Sequence, residues 1–130
     1  MVGTTAYVIG GVGHRTVETF DMARNGTKWQ ITTSLPGVVA RACAVTAFNE
    51  TIFVVGGHDN VSTNSLPTGY SYRVSEGKWT AIAEMNVPRR DHACLFLEME
   101  DNNGILVTGG KKFKVKNLTK PLSLTVSFIF

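Results

Sequence analysis

The sequence predicts an all-β chain assembled from a repeated unit of about fifty residues, and three observations carry that expectation. Glycine doublets at Gly10-Gly11, Gly56-Gly57 and Gly109-Gly110 each end a short apolar run, AYVIGG, IFVVGG and ILVTGG, and lie 46 and 53 residues apart. Other markers keep step: Trp29 and Trp79 are 50 apart, and ARACAV at 40–45 aligns with DHACLF at 91–96, setting Cys43 against Cys94, 51 apart. Composition agrees, since 13 glycines and 15 threonines in 130 residues favour strands and turns over helices.

The elements follow in order. The first apolar run reads as a buried strand that Gly10-Gly11 ends abruptly. Phe20 stands nine residues ahead of Trp29, as Tyr72 stands seven ahead of Trp79. Pro36 leads into the next copy, as Pro88 does later. One whole unit then reads as strands over about 41–48 and 51–56, a loop from His58 to Thr68, and strands over about 69–75 and 78–84. A polar turn, Glu76-Gly77, joins the last two. Four short strands per unit is the form of a propeller blade. No long amphipathic stretch intervenes, which argues against βαβ units.

The expected architecture is therefore an incomplete β-propeller. A partial blade covers 5–35, a full four-stranded blade 36–86, and a second partial blade 87–110. A Lys-rich then apolar tail, 111–130, has no tryptophan and need not belong to the domain. Propellers close with ~4–8 blades, so the expectation is a piece of a longer protein.

Charge and composition exclude several functions. The net charge of +3 belongs to the tail: before Lys111 there are 8 Lys and Arg against 10 Asp and Glu, a balance of −2. The body thus lacks the basic face a nucleic-acid partner needs. No segment reaches the ~20 apolar residues of a membrane-spanning helix. Met1 leads straight into Tyr7-Val8-Ile9, without the basic start and cleavage site of a leader. Two cysteines make neither a disulfide framework nor a CxxC pair. Both sit in apolar runs and read as free, buried thiols, compatible with a reduced, cytoplasmic setting.

Catalytic and metal motifs are missing from the sequence. His14, His58 and His92 lack the spacing of a zinc site, and there is no HExxH. Gly10-Gly11-Val12-Gly13 lacks the Lys-Ser/Thr of a phosphate-binding loop. No nucleophile elbow or dinucleotide fingerprint occurs. The reading is a non-enzyme with no cofactor. Four N-x-S/T sequons, at Asn25, Asn49, Asn60 and Asn117, offer an extracellular alternative.

The markers resemble the Kelch repeat. That unit has a strand ending in Gly-Gly, an aromatic often followed by an acid, a tryptophan, and a Pro-Arg before the next strand. Gly56-Gly57, Tyr72, Trp79 and Pro88-Arg89 match in order, as do Gly10-Gly11, Val17-Glu18, Phe20-Asp21, Trp29 and Pro36. Arg73 departs where an acid is common, and Gly37 follows Pro36 with the nearest arginine at Arg41. The glycines, Trp29, Trp79 and Tyr72 read as turn and core residues first.

The resemblance implies a protein-interaction scaffold that presents the loops at one end of the propeller to partner peptides. Family members include substrate adaptors of cullin-type ubiquitin ligases and actin-binding proteins. On that basis His58, Asp59, Asn60 and Lys111, which follow Gly-Gly doublets, and Arg90, beside the Pro-Arg turn, are the expected protein-binding residues. The alternatives are a secreted or ectodomain Kelch protein and a copper-oxidase-like propeller. The last needs a tyrosine, histidine and cysteine constellation, and the cysteines here stand in ordinary strand positions.

Overall fold

In a computed structural model, residues 1–23, 28–61, 64–98, 100 and 103–111 are described, together with the backbone of 127–129. Ten strands and no helix occur among them. The first sheet is β1 (Thr5–Ile9), β2 (Thr16–Asp21) and β3 (Gln30–Ser34), in that order. The second is β4 (Cys43–Ala47), β5 (Thr51–Val55), β6 (Gly69–Arg73) and β7 (Lys78–Ile82), four antiparallel strands in chain order. The third is β8 (Arg90–Leu97), β9 (Gly104–Lys111) and β10 (Ser127–Ile129), in spatial order β10-β9-β8. β10 comes from the apolar end of the chain, a segment that carries none of the repeat markers, and sets Ser127 opposite Val107.

Alternation along β5 explains why the second sheet lies between the other two. Ile52 and Val54 join Val2, Leu35, Val39 and Tyr72 in one buried cluster, with Tyr7 and Ile9 of β1 packed against it. Val55 joins Met85, Ile105 and Val107 in another, with Phe53, Cys94 and Phe96 packed against it. Successive strand residues point to opposite faces, so the run IFVV at 52–55 is apolar throughout because both faces are covered. Each such side chain fully buried contributes about 1.5–3 kcal/mol.

The first two glycine doublets mark where one sheet meets the next, whereas Gly109-Gly110 lies within β9. Gly10 has φ 66° and Gly56 φ 67°. A Cβ on Gly10 would sit 2.5 Å from the Val39 carbonyl oxygen, and one on Gly56 would sit 2.6 Å from that of Arg89. The second glycine of each doublet then donates its N–H to that same oxygen: Gly11 to Val39 at 3.1 Å and Gly57 to Arg89 at 2.7 Å. A strand can therefore dock on its neighbour only where the first residue lacks a side chain.

Two expectations are corrected. Cys43 and Cys94, expected as free thiols, are joined in a disulfide with Cα atoms 5.9 Å apart. Among the described elements, β4 and β8 are the strands of different sheets that approach each other most closely. Equivalent positions on two such strands become neighbours, which separation along the chain conceals. Trp29, expected in the core, is 47% exposed. Trp79 packs on Tyr72 at 4.9 Å beneath the first sheet, whereas Trp29 and Phe20, 5.3 Å apart, form the corresponding pair in that first sheet itself. No described element covers the sheet face on which Val8 and Ile31 are exposed.

Candidate binding surface

The residues that follow the glycine doublets emerge at one end of the sheets. His58 is held first by its backbone. Its N–H donates to Ala40 O at 2.9 Å, and its carbonyl accepts from Ala40 N at 3.0 Å. A second bridge ties it to Ser65, and Leu66 N donates to Gly57 O at 2.8 Å, folding the loop back on itself. The His58 ring bonds the Asp59 carbonyl through Nδ1. The Asp59 carboxylate accepts from Val61 N at 3.2 Å, the local closure expected of an aspartate in a turn. Asn60 is exposed, and its side-chain amide lies beside Gly13 of the first sheet's corresponding loop.

Lys111 joins this group from the third sheet. Its carbonyl accepts from the buried Ser65 hydroxyl at 2.9 Å, although 46 residues separate the two. Arg90 lies directly opposite Lys111 in the β8–β9 ladder and is half-buried. All five residues expected from the sequence are thus linked by contacts along one edge.

Three further residues at this end were not foreseen. Asp91 lies 3.5 Å from Arg41 and 3.9 Å from the Lys111 ammonium, so one carboxylate is shared between two cations. Asp91 N also donates to Arg41 O at 3.0 Å. Both residues take left-handed backbones, with φ 55° at Arg41 and 53° at Asp91. Ser65 is the third. The signal for Arg41 was its displacement from Pro36, and that for Asp91 its place just after Arg90. Neither could be weighed without knowing that β4 and β8 are adjacent.

Beneath the surface lies Arg89, 2% exposed. Its Nη1 donates to Gly109 O at 2.7 Å, while Nε and Nη2 have no partner among the described residues. His92, which packs on Gly56, is held below its ordinary pKa, first by burial and then by the Arg89 guanidinium, against the opposing pull of Val55 backbone and Asp91. The ring is therefore neutral near pH 7. No group of three or more potential metal ligands occurs among the described residues. No described helix is long and apolar enough to cross a membrane.

Residues 40–86, the stretch from the start of this surface to the end of the second sheet, match the family model of the Kelch motif. The chain carries a Kelch repeat. With the three sheets, this makes the architecture an incomplete Kelch-type β-propeller: one complete four-stranded blade and parts of two others. A solved structure titled "Structure of YjhT" has the same fold, with a TM-score of 0.70 and 17% identity over 84% of this chain. The chain spans 32% of that structure's length. No curated protein matches the chain.

Proposed function

We propose that the chain supplies part of a protein-binding surface, with peptide segments held by the loops after the Gly-Gly doublets. The observation that carries this reading is the convergence of His58, Asp59, Asn60, Arg90 and Lys111, with Arg41 and Asp91, on one edge. These side chains offer donors, acceptors and both charges on backbones fixed by inter-sheet hydrogen bonds, and loops on a rigid scaffold are where binding residues concentrate. The role is recognition and not catalysis. The copper-oxidase-like reading loses further ground, because both cysteines are consumed in one disulfide.

The test is capture of partners by the intact protein and by a His58→Ala, Asn60→Ala, Lys111→Ala variant, with Glu76→Ala as a control at the other end of the sheets. Loss of a captured protein from the triple variant alone supports the surface. An unchanged set of captured proteins defeats it.

A second reading is favoured by one observation. A Cys43–Cys94 disulfide belongs in an oxidising compartment. It supports a secreted or ectodomain Kelch protein over the cytoplasmic roles, a cullin-type ubiquitin ligase adaptor or an actin-binding protein, which would require the pair to be reduced.

A further inference from the structure

We propose that Asn49 carries an N-linked glycan whose first sugar packs over Phe48; this rests on the extracellular reading above. Asn49-Glu50-Thr51 is a sequon at the tip of the β4–β5 hairpin. The hairpin turns with Phe48 at φ 53° and Asn49 at φ 55°, and Glu50 N donates to Ala47 O at 3.3 Å. These are the φ signs of a type I′ turn, which project both central side chains into solvent. Asn49 is exposed, and the amide needs only to clear the backbone to be reached.

Phe48 is the feature that a turn alone does not explain. A bulky residue at positive φ is uncommon. Phe48 is nevertheless 55% exposed, in an edge-to-face pair with Phe96 at 5.1 Å. Its ring borders a groove of about 530 Å³ that Glu50 and Thr51 also line. A pyranose ring has one face of C–H groups that suits an aromatic face. The first sugar on Asn49 would therefore cover apolar surface that the protein leaves in water.

The other sequons fit less well. Asn25 and Asn117 lie outside the described residues, as does the Ser62 of the Asn60 sequon. Asn60 also belongs to the binding edge. Asn49 lies at the opposite end of β5 from Gly56-Gly57, so a glycan there leaves that edge free. The chemistry is a substitution. The Asn49 amide nitrogen attacks the anomeric carbon of a lipid-diphosphate-linked oligosaccharide, the bond to the lipid diphosphate breaks, and the amide loses one proton.

The experiment uses the native protein. Free thiols are alkylated without reduction, glycans are removed with an amidase in heavy-oxygen water, and the tryptic peptide 42–73 is sequenced by mass spectrometry. Heavy oxygen on an aspartate at position 49 is the expected result. Asn49 unlabelled with Cys43 and Cys94 still joined overturns the glycan and leaves the extracellular reading standing. Asn49 unlabelled with both thiols alkylated overturns both. The contact with Phe48 is read separately: glycan removal should lower the melting temperature of the wild type and leave that of Phe48→Ala unchanged. An equal drop in the two proteins refutes the contact.

Discussion

The second sheet has two seams, and they are built differently. Toward the first sheet it presents Ile52, Val54, Tyr72 and Trp79, which pack with Leu35 and Val39 in a cluster of apolar and aromatic side chains. Toward the third it presents Val55, Phe53 and Ile82 around a disulfide, with Arg89 buried nearby and Asp91 set against Arg41 and Lys111 at the rim. Both seams use the same glycine device. Aromatic rings fill both, Tyr72 and Trp79 on one side and Phe53 and Phe96 on the other; the difference is that the second seam is also tied by a covalent bond. The first seam should answer to packing mutations, the second to redox and pH.

The largest expected effect is on the second seam. Joining residues 51 apart restricts the unfolded chain by about 4 kcal/mol on the chain-entropy estimate. Reduction, or Cys43→Ser with Cys94→Ser, should lower unfolding stability by that order in a denaturant titration. Hydrogen exchange should rise first in β8 and β9, with β5 and β6 amides following. Uniform exchange across all three sheets would show that the two seams unfold as one.

On the first seam the corresponding cut is Tyr72→Ala. Tyr72 is 7% exposed and lies against Trp79. Truncating a buried aromatic costs about 3–5 kcal/mol, and the lower end applies here because Trp79 is only half-buried and can shift. Reductant should add to this loss, since the two sites lie on opposite faces of the sheet. A Tyr72→Ala protein whose stability no longer responds to reductant would mean that the seams are coupled.

The strands were legible because their physics is local. Runs such as TIFVV and the Glu76-Gly77 turn place β4 to β7 within two residues of their observed ends. The nearness of the five proposed binding residues was also legible, because loops after Gly-Gly emerge at one end. What escaped was contact between copies. The disulfide was invisible while Cys43 and Cys94 were judged by chain spacing, yet their equivalence in the repeat held the clue. Arg89 read as a turn residue and proved buried, since nothing local says that Gly109 O waits across the sheet. Trp29 failed for the opposite reason: its motif is that of Trp79, but burial depends on a neighbouring sheet.

A smaller effect follows from His92. Burial and Arg89 hold its folded pKa below the ordinary value, while in the unfolded chain it titrates near ~6.5. Between those values the unfolded state binds more protons, so stability rises with pH. The contribution is complete above ~6.5 and is lost as pH falls through the folded pKa. His92→Gln should flatten that acid limb, measured as unfolding stability from about pH 7 down to about pH 4, through and below the ordinary His value of ~6.5. Among the described residues the shifted group of the first seam is Tyr7, raised by burial and by Tyr72 above an ordinary value already far outside this window, so a Tyr72→Ala background should keep the slope.

The smallest effect on stability should be the largest on recognition. Asp91 is about a third exposed, and its partners Arg41 and Lys111 are 53% and 69% exposed. Exposed pairs contribute only about 0–1 kcal/mol, so Asp91→Asn should barely move a thermal melt. Asparagine is also chosen for the backbone, because it tolerates the left-handed φ of 53° that Asp91 adopts. The Asp91 N–H to Arg41 O bond survives the change. What alters is the charge at the rim: two cations lose the carboxylate they share. If partners dock there, capture should change with ionic strength in the wild type and differently in Asp91→Asn, since exposed charges are screened over roughly 8–10 Å at physiological salt. A melting temperature depressed as far as by loss of the disulfide would instead make Asp91 part of the seam, and the division between packed, stapled and recognising regions would fail at its rim.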